Sequence, residues 1–96
     1  MPLRIPSDVY SRLADGYIVY WRMNGKHYLA YIEDGLQVFE ASSLEELLSI
    51  VKNIDFIEAK GVCIYRGEYY DPDGDVECIR AGFRGSEVAE YIQGGP

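Results

Sequence analysis

Runs of apolar residues separated by two pairs of turn-forming residues predict a three-stranded antiparallel meander in the first half of the chain. Tyr17–Met23 is rich in β-branched and aromatic residues, and the Asn24 and Gly25 pair that follows favours a tight hairpin turn. A second strand is predicted over 27–33. Asp34 and Gly35 repeat the turn pattern, and Leu36–Ala41 completes the meander.

Helical signals flank this meander and close the chain. Ser43 and Glu46 have the spacing of a capping box, and apolar residues recur at helical spacing after them, which predicts a helix over 44–52. A short helix is predicted over 7–15, and Ser86 is the predicted N-cap of a last helix.

Three strands are predicted in the second half, over 54–59, 62–70 and 75–81, with a turn at Asp71–Gly74 between the last two. The element order is then (α)βββαβββα. This order predicts an α+β fold: an antiparallel sheet of about six strands with two or three helices on one face. Because 96 residues allow one core and no linker interrupts the pattern, residues 1–96 are expected to form a single domain.

A weak internal similarity relates the two halves at an offset of 44 residues. Residues 18–22 align with 62–66, and the capped helix aligns with the last helix at the same offset. An internal ββ(β)α pseudo-repeat, with halves 17–52 and 61–93, is one interpretation. The other is that two amphipathic units look alike because they obey the same packing rules.

The predicted turns fix which residues share a face of the meander. A two-residue turn at Asn24 and Gly25 sets Trp21 opposite Tyr28, and the same turn type at Asp34 and Gly35 sets Ile32 opposite Gln37. The face that carries Trp21 is mostly apolar and is expected to receive the helices. The opposite face mixes aliphatic residues with four partner-binding candidates: Tyr20, Arg22, His27 and Tyr31. The alternative is that the second half of the chain covers this face as core.

The charge is negative overall but unevenly distributed. The net charge is −7, while residues 33–79 hold twelve acidic and three basic residues. This balance excludes a general nucleic-acid binder, which needs clustered cations, and disfavours anionic membranes. No cationic segment followed by an apolar one begins at Met1, and no apolar run approaches the length of a membrane span. A cytoplasmic location is therefore expected.

Candidate chemistry is sparse. Cys63 and Cys78 match no metal or redox spacing and are interpreted as free thiols. The simple hairpin register places them apart, which disfavours a disulfide unless a bulge at Gly67 rearranges that register. Asp71, Asp73 and Asp75 could lie close together at a turn, but the pattern fails the EF-hand spacing, so they are only weak cation candidates. His27 is the single histidine, and no nucleophile is placed beside it. No catalytic residue, cofactor or metal is predicted.

The function that these observations favour is a small acidic, non-enzymatic protein-interaction module. It would form a homodimer through the face that carries Tyr20, or bind and inhibit a protein partner, with the carboxylates of 33–79 acting as a nucleic-acid mimic. The alternative is a weak nucleic-acid-binding domain that uses Arg22, Lys26 and His27, with the neighbouring tyrosines, on the first sheet.

Overall fold

The computed structural model describes residues 5–56, 58–68, 76–80 and 84–94, with residues 67 and 68 described by their backbone alone. Within these ranges the fold is α+β, with three helices and a five-stranded mixed sheet. The elements, in chain order, are α1 (Ser7–Ala14), β1 (Tyr17–Met23), β2 (Lys26–Ile32), β3 (Leu36–Ala41), α2 (Leu44–Val51), β4 (Gly61–Glu68), β5 (Val76–Ile79) and α3 (Gly85–Ile92).

The sheet has the strand order β3-β2-β1-β4-β5. The pairs β1–β2, β2–β3 and β4–β5 are antiparallel, but β1 and β4 run parallel at the centre. The prediction of a wholly antiparallel sheet is therefore wrong. The two strands are parallel because α2 carries the chain back along the sheet after β3, so that β4 starts at the same end of the sheet as β1.

The parallel pair has a register that matches the sequence similarity. Tyr17 lies opposite Gly61 and Val19 lies opposite Cys63, so paired residues are 44 positions apart, until an irregularity after Tyr20 shifts the pairing. The same offset aligned the two halves of the sequence. A true duplication stays a prediction.

The segment between α2 and β4 is not the strand that was predicted over 54–59. In the part of this segment that the structure describes, Asp55 forms only an isolated bridge with Arg84. Phe56 is fully buried in the core. The apolar residues that suggested a strand therefore belong to a connection that is packed into the core. A buried segment needs apolar residues whether or not it pairs with a neighbouring strand, so the pattern alone could not distinguish the two.

The two hairpins of the meander differ in their turns. Asn24 and Gly25 have φ values of 55° and 75°, and Trp21 lies opposite Tyr28 as predicted. At the second turn Ile32 lies opposite Leu36 rather than Gln37. The loop therefore has three residues where two were predicted. Each β3 side chain consequently lies on the face opposite to the one that the sequence predicted.

Helices cover both faces of the sheet, although they were predicted on one. One face, here called the α1 face, is covered by helix α1. Val9 of this helix is fully buried against the sheet, and Leu13 is nearly so. The sheet residues buried in this cluster are Val19, Trp21, Tyr28, Ala30 and Cys63. This is the face on which the sequence placed the helices, and a single short helix with Ile5 beside it is sufficient to cover its centre.

The opposite face, here called the α2–α3 face, holds the larger cluster. Its buried sheet residues are Ile18, Tyr20, Leu29, Ala41, Val62 and Ile64. Leu47 and Val51 from α2 and Val88 and Ile92 from α3 pack against them. The two alternatives left open by the sequence are thereby decided, because the second half of the chain covers this face as core.

The helix starts follow the sequence only in part. Ser43 Oγ accepts a hydrogen bond from the Glu46 backbone N–H at 3.2 Å, which confirms the predicted cap of α2. At α3 the N-cap position is Arg84 rather than Ser86, and no side chain caps it. Gly85 is required there by close packing, since a Cβ at this position would collide with the Val51 carbonyl oxygen.

The β4–β5 pair joins the two cysteines. Cys63 lies directly opposite Cys78 with 4.0 Å between their Cα atoms, and the two form a disulfide. The predictions of free thiols and of cysteines set apart are therefore wrong. They assumed a register set by a turn at 71–74, which lies outside the described residues, whereas the observed register brings the two side chains to the same face.

Candidate functional site

Two of the four predicted partner-binding residues contribute to the core. Tyr20 is 7% exposed and belongs to the buried cluster on the α2–α3 face. Tyr31 is half-buried and meets Phe56 edge to face, with 4.9 Å between ring centroids. Burial, followed by the nearby charge of Glu33, raises the pKa of the Tyr31 hydroxyl. Both rings thus have partners within the chain.

The other two candidates lie at the end of the sheet beside the first turn. Arg22 and His27 are directly opposite each other in the β1–β2 pair, and both are half-buried. The Tyr20 hydroxyl lies 2.8 Å from His27 Nδ1, so one hydrogen bond joins them. The structure therefore brings Tyr20, Arg22 and His27 together. Tyr31 is separated from them on the same face by the fully buried Leu29.

This arrangement gives little support to a nucleic-acid surface on the first sheet. Lys26 lies one position from His27 along β2 and therefore points to the opposite face. Its ammonium group pairs with the Glu40 carboxylate at 3.2 Å. The cations proposed to share one surface are thus divided between two faces, and Arg22 and His27 are half-buried.

The predicted cation candidates Asp71, Asp73 and Asp75 lie outside the described residues. Among the residues that are described, no group of three or more histidines, cysteines or carboxylates is placed to hold a metal ion.

The solvent side of the α2–α3 layer and the connection after α2 carry exposed carboxylates: Glu45, Glu46, Asp55, Glu58 and Glu90, with Glu87 half-buried among them. Glu46 accepts a hydrogen bond from the Ser42 backbone N–H at 3.3 Å. Within the part of the chain that the structure describes, Glu45, Glu87 and Glu90 form no ion pair. Among the described residues, these three carboxylates therefore have no cationic side chain within ion-pair distance.

A second polar cluster lies on the α1 face and was missed by the sequence reasoning. The Tyr65 hydroxyl donates to Asp8 Oδ2 at 2.8 Å and accepts from Arg12 Nε at 3.1 Å. Arg12 Nη1 also lies 3.6 Å from the Cys78 sulfur. Two of these residues are on α1 and two on the β4–β5 pair, so only the tertiary packing of α1 on the sheet brings them together.

This surrounding changes the acidity of Tyr65. Burial raises the pKa of its hydroxyl, the hydrogen bond from Arg12 lowers it, and the hydrogen bond with Asp8 raises it again, with a net shift upward. Cys78 itself is exposed, whereas Cys63 is fully buried. The cluster thus places a cation beside the exposed half of a disulfide.

Comparisons of this chain with protein-family models, with curated proteins and with solved structures give no match. No helix in the described ranges is both long enough and apolar enough to cross a membrane.

Proposed function

We propose that this protein is a non-enzymatic interaction module that binds a basic protein surface on the solvent side of its α2–α3 layer. The observation that carries the proposal is that Glu45, Glu87 and Glu90 on these two helices form no ion pair with any residue that the structure describes. A cytoplasmic location, predicted from the sequence, is part of the same proposal.

A basic partner would relieve the repulsion among these carboxylates. Like charges on adjoining helices repel one another, and a folded chain that leaves them uncompensated tolerates that repulsion. A partner with lysine or arginine side chains relieves this repulsion, and no ion pair among the described residues has to break first at these three glutamates. Such complementarity mainly accelerates encounter and excludes acidic partners, and it weakens as salt screens the charges.

Self-association through Tyr20 and Tyr31 receives no support from the packing. Tyr20 is buried beneath α2 and α3, so a second copy could reach its ring only if those helices left the sheet, and the half-buried ring of Tyr31 already packs against Phe56. We therefore propose a different protein as the partner. The partner that we propose presents a cationic site that otherwise receives nucleic acid, since exposed carboxylates can occupy the place of phosphates.

The test is a titration of the folded protein with an oligolysine peptide, followed by calorimetry and by backbone amide chemical shifts. The variant is Glu45→Gln/Glu90→Gln, and the matched control is Asp15→Asn/Asp34→Asn. Both change the formal charge by the same amount, but Asp15 follows α1 and Asp34 lies in the β2–β3 turn. Asparagine also tolerates the positive φ of Asp34.

We expect the peptide to shift amides of α2 and α3 and the α2–α3 variant to weaken binding by about threefold to tenfold, since exposed ion pairs contribute a few tenths to about 1 kcal/mol each. The control should change affinity less than about twofold, and added salt should weaken binding to all the proteins. Equal losses in variant and control, or shifts confined to other elements, would contradict the proposal.

A further inference from the structure

The two sulfurs of the Cys63–Cys78 disulfide have very different surroundings. Cys63 is fully buried in the apolar cluster beneath α1, next to Trp21 and Leu13. Cys78 is exposed on β5, which pairs with β4 on one side and is the last strand of the sheet. Of the two cysteines, Cys78 is therefore the one that solvent reaches.

Arg12 adds a charge to this difference in exposure. Its guanidinium is held by the hydrogen bond to the Tyr65 hydroxyl, and its Nη1 atom lies 3.6 Å from the Cys78 sulfur. A neighbouring arginine stabilises a thiolate over a thiol, and the thiolate is the reactive form of cysteine. The buried Cys63 thiol has the opposite environment, since apolar surroundings disfavour its ionised form.

From this geometry we propose that Cys78 is a redox-reactive site and that Cys63 is its resolving partner. An exposed cysteine with a cationic neighbour and a second thiol within disulfide distance has the arrangement of a reversible redox sensor. The proposal is independent of the acidic surface on the other face of the sheet.

The oxidant is a peroxide, and the reductant is a small-molecule thiol. In the reduced protein the Cys78 thiolate attacks one peroxide oxygen. The O–O bond breaks, an alcohol or water leaves after taking a proton, and Cys78 becomes a sulfenic acid. The Cys63 thiol then displaces water from that sulfenic acid, which forms the observed disulfide.

The return reaction begins at the same exposed sulfur. A thiolate from solution attacks Cys78, the S–S bond breaks, and Cys63 leaves and takes a proton. A second thiolate attacks the mixed disulfide at the sulfur of the small molecule, which releases a small-molecule disulfide and the Cys78 thiolate. Two thiols are oxidised for each disulfide that is reduced.

The first experiment identifies which sulfur reacts. The reduced wild-type protein, shown to be folded by its amide spectrum, is treated with substoichiometric iodoacetamide and analysed by peptide mass spectrometry. We expect Cys78 to be alkylated at least about tenfold faster than Cys63, given the thiolate character and exposure of Cys78. Equal rates, or faster reaction at Cys63, would overturn the proposal.

The same experiment has a trapping arm with hydrogen peroxide and dimedone, which labels sulfenic acids. Cys63→Ala, which keeps an apolar side chain in the core, should accumulate the dimedone adduct at Cys78. Cys78→Ser should give no adduct at Cys63. Absence of the adduct in folded Cys63→Ala would also overturn the assignment.

The second experiment separates the charge of Arg12 from its packing. Arg12→Gln should slow oxidation of Cys78 by peroxide by about threefold to tenfold, and Arg12→Lys should restore the rate to within about twofold of wild type. Tyr65→Phe serves as the comparison that disturbs the cluster but leaves the cation. If Cys78 is oxidised at the wild-type rate in both Arg12 variants, the charge of Arg12 has no role. If both variants slow the oxidation of Cys78 equally, the effect of Arg12 is one of packing. Either result would overturn the role assigned to the Arg12 charge.

Discussion

The Tyr20 hydroxyl and His27 Nδ1 lie 2.8 Å apart across the first hairpin, with their rings stacked at 6.1 Å between centroids. Tyr20 is 7% exposed and its ring is part of the core, so the hydrogen bond to His27 gives its buried hydroxyl a polar partner. It fixes how the half-buried His27 ring is presented at the end of the sheet.

Removal of that hydroxyl should destabilise the fold moderately. We expect Tyr20→Phe to lower the free energy of unfolding by about 1 kcal/mol, because the ring stays packed while His27 loses a hydrogen bond. Chemical denaturation measures the change. Tyr10→Phe is the matched control, since Tyr10 is 52% exposed and should change stability by less than about 0.5 kcal/mol. Equal effects in the two variants would refute the argument.

The start of α2 offers a second test. Ser43→Ala removes the side chain that accepts from the Glu46 N–H, so it should lower stability by about 1 kcal/mol. Ser49→Ala is the control on the same helix, because Ser49 Oγ bonds only back to the Glu45 carbonyl, and alanine is the better helix former. Thermal unfolding should show a loss for the first variant and no loss for the second.

Packing at the start of α3 predicts a larger effect. A methyl group at Gly85 would meet the carbonyl oxygens of Val51 and Ile54, and the Gly85 N–H also donates to Ile54 at 2.8 Å. Gly85→Ala should therefore cost about 2 kcal/mol or more, since backbone atoms must move to make room.

The neighbouring serine is the control for that variant and also tests the helix boundary. Because Ser86 lies inside α3 and is exposed, Ser86→Ala should change stability by less than about 0.5 kcal/mol. A loss near 1 kcal/mol would instead indicate that Ser86 caps the helix, as the sequence predicted.

Tyr65 predicts a dependence of stability on alkaline pH. Its raised pKa, caused chiefly by burial, means that the folded protein holds the phenol proton more tightly than the unfolded chain. The resulting stabilisation is complete below the ordinary tyrosine pKa of about 10 and is lost as pH rises through the raised value. In Tyr65→Phe, denaturation midpoints measured across this range should fall less steeply with pH than in wild type. An unchanged slope would contradict this.

The sequence predicted local features better than tertiary ones. The Asn24 and Gly25 turn and the Ser43 cap depend on a few adjacent residues, and both are confirmed. The turn at Asp34 failed by one residue, because the same residue types suit loops of two and three residues. The extra loop residue decides which face Phe39 occupies: the predicted register put Phe39 on the α1 face, and the observed register puts it on the α2–α3 face.

Non-local relationships were outside the reach of pattern alone. The parallel β1–β4 pair and the Cys63–Cys78 disulfide depend on which strands become neighbours in the sheet. The residues within each strand do not specify that choice. For the candidate site, the composition of the aromatic face suits a core as well as an interface, so composition alone could not decide between them. The cluster of Arg12, Tyr65 and Cys78 spans most of the chain and has no signature at any fixed spacing.

The central β1–β4 ladder has a consequence for how the chain folds. Its partners are 44 to 46 residues apart, whereas the β1–β2 and β2–β3 hairpins close over short turns. Bringing β4 beside β1 carries a loop-closure entropy that the hairpins largely avoid, so the meander can assemble before the strand that completes the sheet. Until β4 arrives, the inner edge of β1 is an unpaired strand edge, open to pairing with another chain.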